Sequence, residues 1–184
     1  MATGDHKGFE EVAGPLFMEI NLNTIFMLLA GGQTITGEIN MGENAGFGLD
    51  AALSADGKYS GIVEAGTAGA ALAFGDLVYL QTADSRWEKT DANTSACFGM
   101  KLGICILAAG ADGDATKILL WGKVRADAKF PTLTIGAPVY MSETAGEVVV
   151  AQPATTDACI RIVGQANTAD ELFFHPSNDY ITHV

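Results

Sequence analysis

The sequence predicts an all-β fold, a small barrel or sandwich with an extended N-terminal arm. Short runs of β-branched and aromatic residues, bounded by Gly, Asp, Asn and Pro, recur every ten or so residues. Helical periodicity is hard to find along most of the chain, and one six-residue phrase occurs twice in nearly the same form. With 184 residues, the chain is long enough to fill one core or two small ones.

The first sixty residues differ from the rest. Residues 1–15 are polar and end at Gly14-Pro15, which predicts an arm. Residues 16–60 form a predicted apolar anchoring segment, in which "LFMEINLNTIFMLLA" (16–30) fits either an extended strand or a short amphipathic helix and "GENAGFGLD" (42–50) is a loop. We expect the apolar run to be buried against a neighbouring subunit. The candidate assembly and anchoring residues are Leu16, Phe17, Met18, Ile25, Phe26 and Leu28.

Ten segments have the composition of strands, with turn signals between them. Asp56-Gly57, Asp112-Gly113 and Ala145-Gly146 supply the glycine that tight hairpin turns require. The predicted strands are Gln33–Met41, Lys58–Glu64, Leu77–Gln81, Arg86–Thr90, Lys101–Leu107, Thr116–Val124, Pro138–Met141, Glu147–Ala151, Arg161–Ala166 and Glu171–Phe174.

The repeated phrase is "GDLVYL" at residues 75–80, which returns 61 residues later as "GAPVYM" at residues 136–141. The same offset aligns Gly103 with Gly164, and the strands that follow each copy occur in the same order. Chance is one explanation, since Val-Tyr pairs are common. The other is a domain over residues 61–184 built from two quasi-equivalent units, about 75–127 and 136–176, neither able to bury much core alone.

Composition narrows the function classes. The formal net charge is -12, and the ten basic residues are scattered, so nucleic-acid binding is disfavoured. The chain is 48% hydrophobic but only 17% charged, which suggests surface buried against partners. The longest apolar run, Ile25–Ala30, is far shorter than the roughly 20 residues of a membrane helix. No signal-peptide pattern leads the chain, so we expect the protein to stay where it is made.

No motif indicates catalysis, a cofactor or a metal. Cys97, Cys105 and Cys159 lie in apolar surroundings and are expected to be buried, reduced thiols. The histidines, His6, His175 and His183, lie near the termini without the spacing of a zinc pair. No nucleophile motif and no singled-out carboxylate pair is present. Trp87 and Trp121 are interpreted as core or interface aromatics.

Residues 61–176 resemble the bacteriophage capsid decoration (cement) proteins. The resemblance rests on the succession "GIVEAGTAGAALAFGDLVYLQTADSRWEKTDA", "KLGICILAAGADGDATKILLWGKVRAD", "LTIGAPVYMSETAGEVVVAQPA" and "RIVGQANTADELFFHP". It implies a β-barrel or β-tulip-like domain, commonly a homotrimer, on the outer surface of the virion, where it bridges major capsid protein subunits. The protein would be made in the host cytoplasm. The resemblance supplies no catalytic residues.

Two alternatives remain open at this point. The chain could be a head-fibre or tail appendage subunit that binds a host surface glycan by stacking sugars on Trp87, Trp121 or Tyr180. An enzyme such as a glycan hydrolase has the weakest support. We therefore expect a structural protein without enzymatic activity, with the major capsid protein and copies of itself as partners and no direct contact with nucleic acid or membrane.

Overall fold

The computed structural model describes residues 41–184, of which Phe47–Val184 form one compact unit. The predicted arm, the run 16–30 and the predicted strand before Met41 lie outside the described residues. No helix in this part of the chain is long and apolar enough to cross a membrane.

The all-β prediction is confirmed. Nine strands form one antiparallel sheet, strongly curled into a half-barrel, in the order β3-β2-β4-β5-β10-β9-β6-β7, with β1 paired to β5; β8 and β11 form a separate pair. A 3-10 helix at Ser95–Cys97 is the helical element within residues 41–184. The strands are β1 Lys58–Thr67, β2 Leu77–Leu80, β3 Trp87–Lys89, β4 Leu102–Leu107, β5 Ala115–Arg125, β6 Pro138–Met141, β7 Val148–Val149, β8 Cys159–Ile160, β9 Ile162–Ala166, β10 Glu171–Phe174 and β11 Ile181–Thr182.

Sequence reasoning found the main sheet and missed the small one. Nine of the ten predicted strands coincide with β1 to β7, β9 and β10, although β1 runs on to Thr67 and begins before the predicted domain boundary at residue 61. Strands β8 and β11 have two residues each, too few to show a period-two pattern. The predicted turn glycines Gly57, Gly113 and Gly146 all have positive φ, at 72°, 88° and 76°.

The repeat is structural, because the two units pair equivalent strands, in the same register except for a shift between Val139 and Tyr140 in the second unit. Val78 lies opposite Gly103, and its counterpart Val139 lies opposite Gly164. The hairpins agree as well: Leu80 pairs with Trp87, and the residues 61 positions later, Met141 and Val148, pair with each other. A chance likeness of two dipeptides would not reproduce this register.

Each unit opens with the same backbone geometry. Gly75 and Gly136 adopt φ values of 88° and 77°, a region that only glycine enters at little cost. From that conformation the Gly75 N–H donates to the Cys105 carbonyl at 2.8 Å, and the Gly136 N–H donates to the Ala166 carbonyl at 2.9 Å. The glycine of the repeated phrase therefore sets the entry of the first strand of each unit.

The two units nevertheless turn opposite faces to the core. Strand β5 pairs with β4 near its start and with β10 near its end, and a β-bulge lies between these regions: Ile62 faces Trp121 while Val63 faces Leu119. Leu120 is thus an extra residue, and a one-residue slip moves the following side chains to the other side of a sheet.

The burial pattern follows from this reversal. In the first unit, Val78 and Trp87 belong to an outer cluster that also includes Cys105 and Ile118. Val78, Trp87 and Cys105 each have an apolar counterpart 61 positions later. These counterparts, Val139, Val148 and Ala166, belong instead to the core shared by both units. Equivalent positions therefore serve different clusters.

The chain covers the outer cluster of the first unit with its own loops. Ala68, Leu72 and Ala109 complete that cluster. Leu72 and Ala109 exchange two backbone hydrogen bonds of 2.9 Å, and the Gly69 N–H donates to the Trp87 carbonyl at 2.9 Å. As a result Trp87 is only 1% exposed.

A buried ionic cluster is centred on Asp76 of the repeated phrase. The carboxylate is fully buried, and the Ala73 N–H donates to Oδ2 at 2.8 Å. Lys89 Nζ lies 3.4 Å from Oδ2 and Lys129 Nζ lies 2.5 Å from Oδ1; the second contact is ionic, since Oδ1 accepts no directed hydrogen bond. The second unit has Ala137 at this position, so the cluster is particular to the first.

Candidate interaction surface

The six candidate anchoring residues all precede residue 41. Leu16, Phe17, Met18, Ile25, Phe26 and Leu28 therefore lie outside the described residues, and their role stays a prediction. The described part of the chain presents a different apolar surface, on the outer side of the second half of the sheet.

This surface, termed the aromatic face, consists of Phe47, Ile62, Trp121 and Phe173. Ile62 lies opposite Trp121 across β1 and β5, and the Trp121 and Phe173 rings meet edge to face, with centroids 5.1 Å apart and planes at 78°. Phe47 is 80% exposed, Ile62 60% and Trp121 42%. Large apolar side chains that remain this exposed and adjacent indicate a contact site.

A groove of about 690 Å³ runs along the aromatic face. Phe47 and Leu49 line it from one side, and Ser60, Ile62 and Trp121 line it from the strands, with Gly48 and Gly61 between them. None of its lining residues is charged. The groove is therefore suited to an apolar side chain rather than to an ion or a charged ligand.

The charged groups beside the face are already engaged within the protein. Lys123 Nζ donates to the carbonyls of Asp50 and Ala51 at 2.8 Å each and lies 3.7 Å from Glu171 Oε1. These contacts pin the segment 48–53 across the outer side of β1 and β5. Phe47 is thereby placed beside the groove.

Glu171 and Gln165 are engaged in the same way. The Glu171 carboxylate is 3% exposed and accepts hydrogen bonds from the Leu53 N–H at 3.0 Å and from Asn167 Nδ2 at 2.9 Å. Gln165 Oε1 lies 2.6 Å from His175 Nε2, and the His175 ring packs on Phe173 with centroids 5.1 Å apart. These polar groups beside Phe173 are thus bonded within the protein.

Strand β1 gives the same region an open edge. It pairs only with β5 among the described strands, and most of its ten residues are exposed. Proteins commonly protect such edges with prolines or repeated lysines. Here Lys58 and Glu64 are the charged residues of the strand, and it contains no proline. An extended segment of another chain could pair with this edge.

The cysteines have no features of catalytic thiols. Cys97, Cys105 and Cys159 are free and buried, as expected from the sequence. Burial raises the pKa of all three, and for Cys159 burial, with a smaller effect of nearby Cys97, raises the pKa to about 11. A thiol needs a lowered pKa to act as a nucleophile near neutral pH. These thiols are core side chains.

Two other charged groups have structural partners. Arg161 is 2% exposed; it donates from Nε to the Ser177 carbonyl at 2.7 Å and from Nη1 to the Met100 carbonyl at 2.8 Å, and burial lowers its pKa. The Glu143 carboxylate accepts the N–H groups of Thr155 and Ala154 at 2.8 and 2.9 Å, which lowers its pKa. Both hold loops in place. Across residues 41–184, no group of three His, Cys, Asp or Glu side chains is arranged to hold a metal ion.

Comparison of the chain with protein-family models, curated proteins and solved structures gives no significant match. Sequence reasoning placed Trp121 in a core or an interface but did not find the aromatic face. The available signal was the run Ile118-Leu119-Leu120-Trp121, four consecutive apolar residues in a strand whose faces should alternate.

Proposed function

We propose that the protein is a structural virion protein that decorates the outer surface of a bacteriophage capsid and stabilises the head by bridging major capsid protein subunits. The doubled unit supports this proposal. The repeated Val-Tyr phrase is the main feature by which the sequence resembles decoration proteins, and it corresponds to two units that pair equivalent strands. The proposal has the subunit made in the host cytoplasm, associated with copies of itself, a trimer by the resemblance, and bound to the finished head.

The open edge of β1 suggests how the subunit would hold a capsid protein. An extended capsid segment that adds to this edge would form backbone hydrogen bonds along a strand of ten residues. If the protein binds assembled capsid subunits but not separated ones, its binding stabilises the assembled shell by mass action.

Electron microscopy of the native particle that contains the chain tests the proposal. Knobs of density at the symmetry axes of a shell, into which the half-barrel fits, are expected. Density at the end of a fibre would contradict the proposal and favour the appendage alternative.

Occupancy measurements test the mechanism. We expect deletion of residues 1–30 and, separately, Val63→Lys to lower the number of subunits per particle, because Val63 lies on the open edge and is 44% exposed. Val150→Lys is the control, since Val150 is 40% exposed and lies outside β1. Unchanged occupancy in both variants would contradict the proposed anchoring.

One of the three aromatic residues in the glycan-binding alternative is buried. Trp87 is 1% exposed, so it has no free face for a sugar ring. Trp121 and Tyr180 are 42% and 43% exposed, but sugar recognition also needs polar groups that are free to bind hydroxyls. Those that flank Trp121 bond to one another or to the backbone.

A further inference from the structure

We infer that the aromatic face is a contact between two copies of this chain related by a two-fold axis, with Phe47 of each copy in the groove of the other. The inference goes beyond the proposed function, because a two-fold contact is separate from the trimer that the resemblance implies. It does not depend on the capsid, because the contact would form between free subunits.

Charge favours a second copy at this face. Two chains that each carry a net charge of -12 repel each other when carboxylates meet. The groove is lined by uncharged residues, and beside it the half-buried Lys123 pairs with the buried Glu171. Contact here brings the copies together without placing like charges opposite one another.

The arrangement of the face favours two-fold symmetry. Phe47 projects from the surface at 80% exposure and also forms one wall of the groove, so the projecting side chain and the groove belong to one patch. A patch that carries both is self-complementary, as an isologous contact requires. A ring of three would need the projection and the groove on different sides of the subunit.

The size of the face fits a weak, specific dimer. Phe47, Ile62 and Trp121 together expose on the order of 400 Å² of mainly apolar surface per copy, judged from their exposed fractions and usual side-chain areas. Two copies would bury about 800 Å², which is below the standard interface size and in the range of weak, transient contacts. We therefore expect a dissociation constant in the micromolar range, about 1 to 100 μM.

Sedimentation velocity of the full chain over a concentration series tests the inference. The wild-type protein should pass from one copy to two, and Ile62→Lys should weaken the association at least about tenfold, because it buries a charge at the centre of the contact. Ile135→Lys is the matched control: Ile135 is 71% exposed, compared with 60% for Ile62, and does not line the groove. It should leave the dissociation constant unchanged.

Phe47→Ser provides a second variant, since a side chain that is 80% exposed contributes little to folding. It should also weaken the dimer, with an unchanged urea midpoint. Three results would overturn the inference: a wild-type chain that stays a single copy up to about 100 μM, a trimer without a dimer, or a dimer that Ile62→Lys and Phe47→Ser leave intact. Particle occupancy is measured separately, so the capsid proposal can fail while the dimer stands.

Discussion

The two units of the sheet pair equivalent strands but turn different side chains towards the core. The first unit turns Val78 and Trp87 outward and covers them with its own loops, whereas the second turns Val139 and Val148 into the shared core. The outer side of the sheet beside the second unit carries Trp121, from the end of β5, and this side chain is 42% exposed. A sequence repeat thus preserves hydrogen-bond register without preserving which side chains are buried.

A single bulge is sufficient to produce the difference. Strand β5 belongs to both halves, and the extra residue Leu120 reverses the direction of its side chains between the two. Before the bulge, Ile118 joins the covered outer cluster, and after it Trp121 lies on the open face. The outer side around β2 to β4 is therefore covered by loops, whereas the outer side around β1, the end of β5 and β10 offers a contact.

Removal of one tryptophan from each outer side should give the largest contrast. Trp87→Ala empties a buried site and should lower the free energy of unfolding by about 3–5 kcal/mol. Trp121→Ala removes a partly exposed ring that contacts Phe173, and should cost about 1 kcal/mol. Urea unfolding followed by circular dichroism measures both. Equal losses would mean that the two outer sides are buried alike.

Alanine substitutions at the equivalent glycines Gly103 and Gly164 should also lower the free energy of unfolding by different amounts. A Cβ at Gly164 would meet the carbonyl oxygen of Phe173, which cannot move without distorting β10, whereas at Gly103 the nearest obstacle is the Ile118 side chain. We expect Gly164→Ala to cost about 3 kcal/mol and Gly103→Ala about 2 kcal/mol, since Ile118 is fully buried and its Cγ2 methyl has to shift. Urea midpoints of the two variants provide the comparison, and a larger loss at Gly103 would contradict the packing described for β9 and β10.

The ionic cluster around Asp76 should contribute less to the free energy of unfolding than the burial of Trp87 or the close packing at Gly164. Asp76→Asn leaves Lys89 and Lys129 without their counter-charge, but their side chains are 35% and 26% exposed and can regain water. The expected loss is therefore about 2 kcal/mol, below that of a fully buried pair. Asp127→Asn, at an exposed pair with Arg125, is the control and should change the urea midpoint little. Equal shifts would show that burial of Asp76 is unimportant.

The last effect is confined to alkaline pH. The pKa of Cys159 is raised from 9.0 to about 11 by burial, so the folded protein keeps this thiol neutral where the unfolded chain ionises it. Stability from this group is complete below pH 9 and is lost as pH rises towards 11. Cys159→Ala should therefore flatten the fall of the urea midpoint across that interval. An unchanged slope would contradict the stated burial of the thiol.

Much of the fold could be predicted from the sequence, because most strands and turns have a recognisable local sequence pattern. Alternation and the turn glycines Gly113 and Gly146 predicted two hairpins, and the phrase at 75–80 predicted the doubling. The hairpin predicted at Gly57 is wrong, because residues 41–57 contain no strand that could pair with β1 through this turn. The reversal of faces was not readable, because Leu119 and Leu120 are both apolar and period-two alternation cannot show where an extra residue sits. The partners of Asp76 were likewise hidden, since Lys129 is distant in sequence.

The contrast between the covered and the open outer side can be measured directly with 19F NMR of the wild-type chain labelled with 5-fluorotryptophan, which contains only Trp87 and Trp121. Trp121→Phe assigns the two resonances. The Trp121 signal should shift between H₂O and D₂O and lose that sensitivity as the protein concentration rises and the aromatic face is covered. The Trp87 signal should show no solvent shift at any concentration. Two solvent-insensitive signals, or a Trp121 signal that ignores concentration, would contradict an open face that binds a second copy.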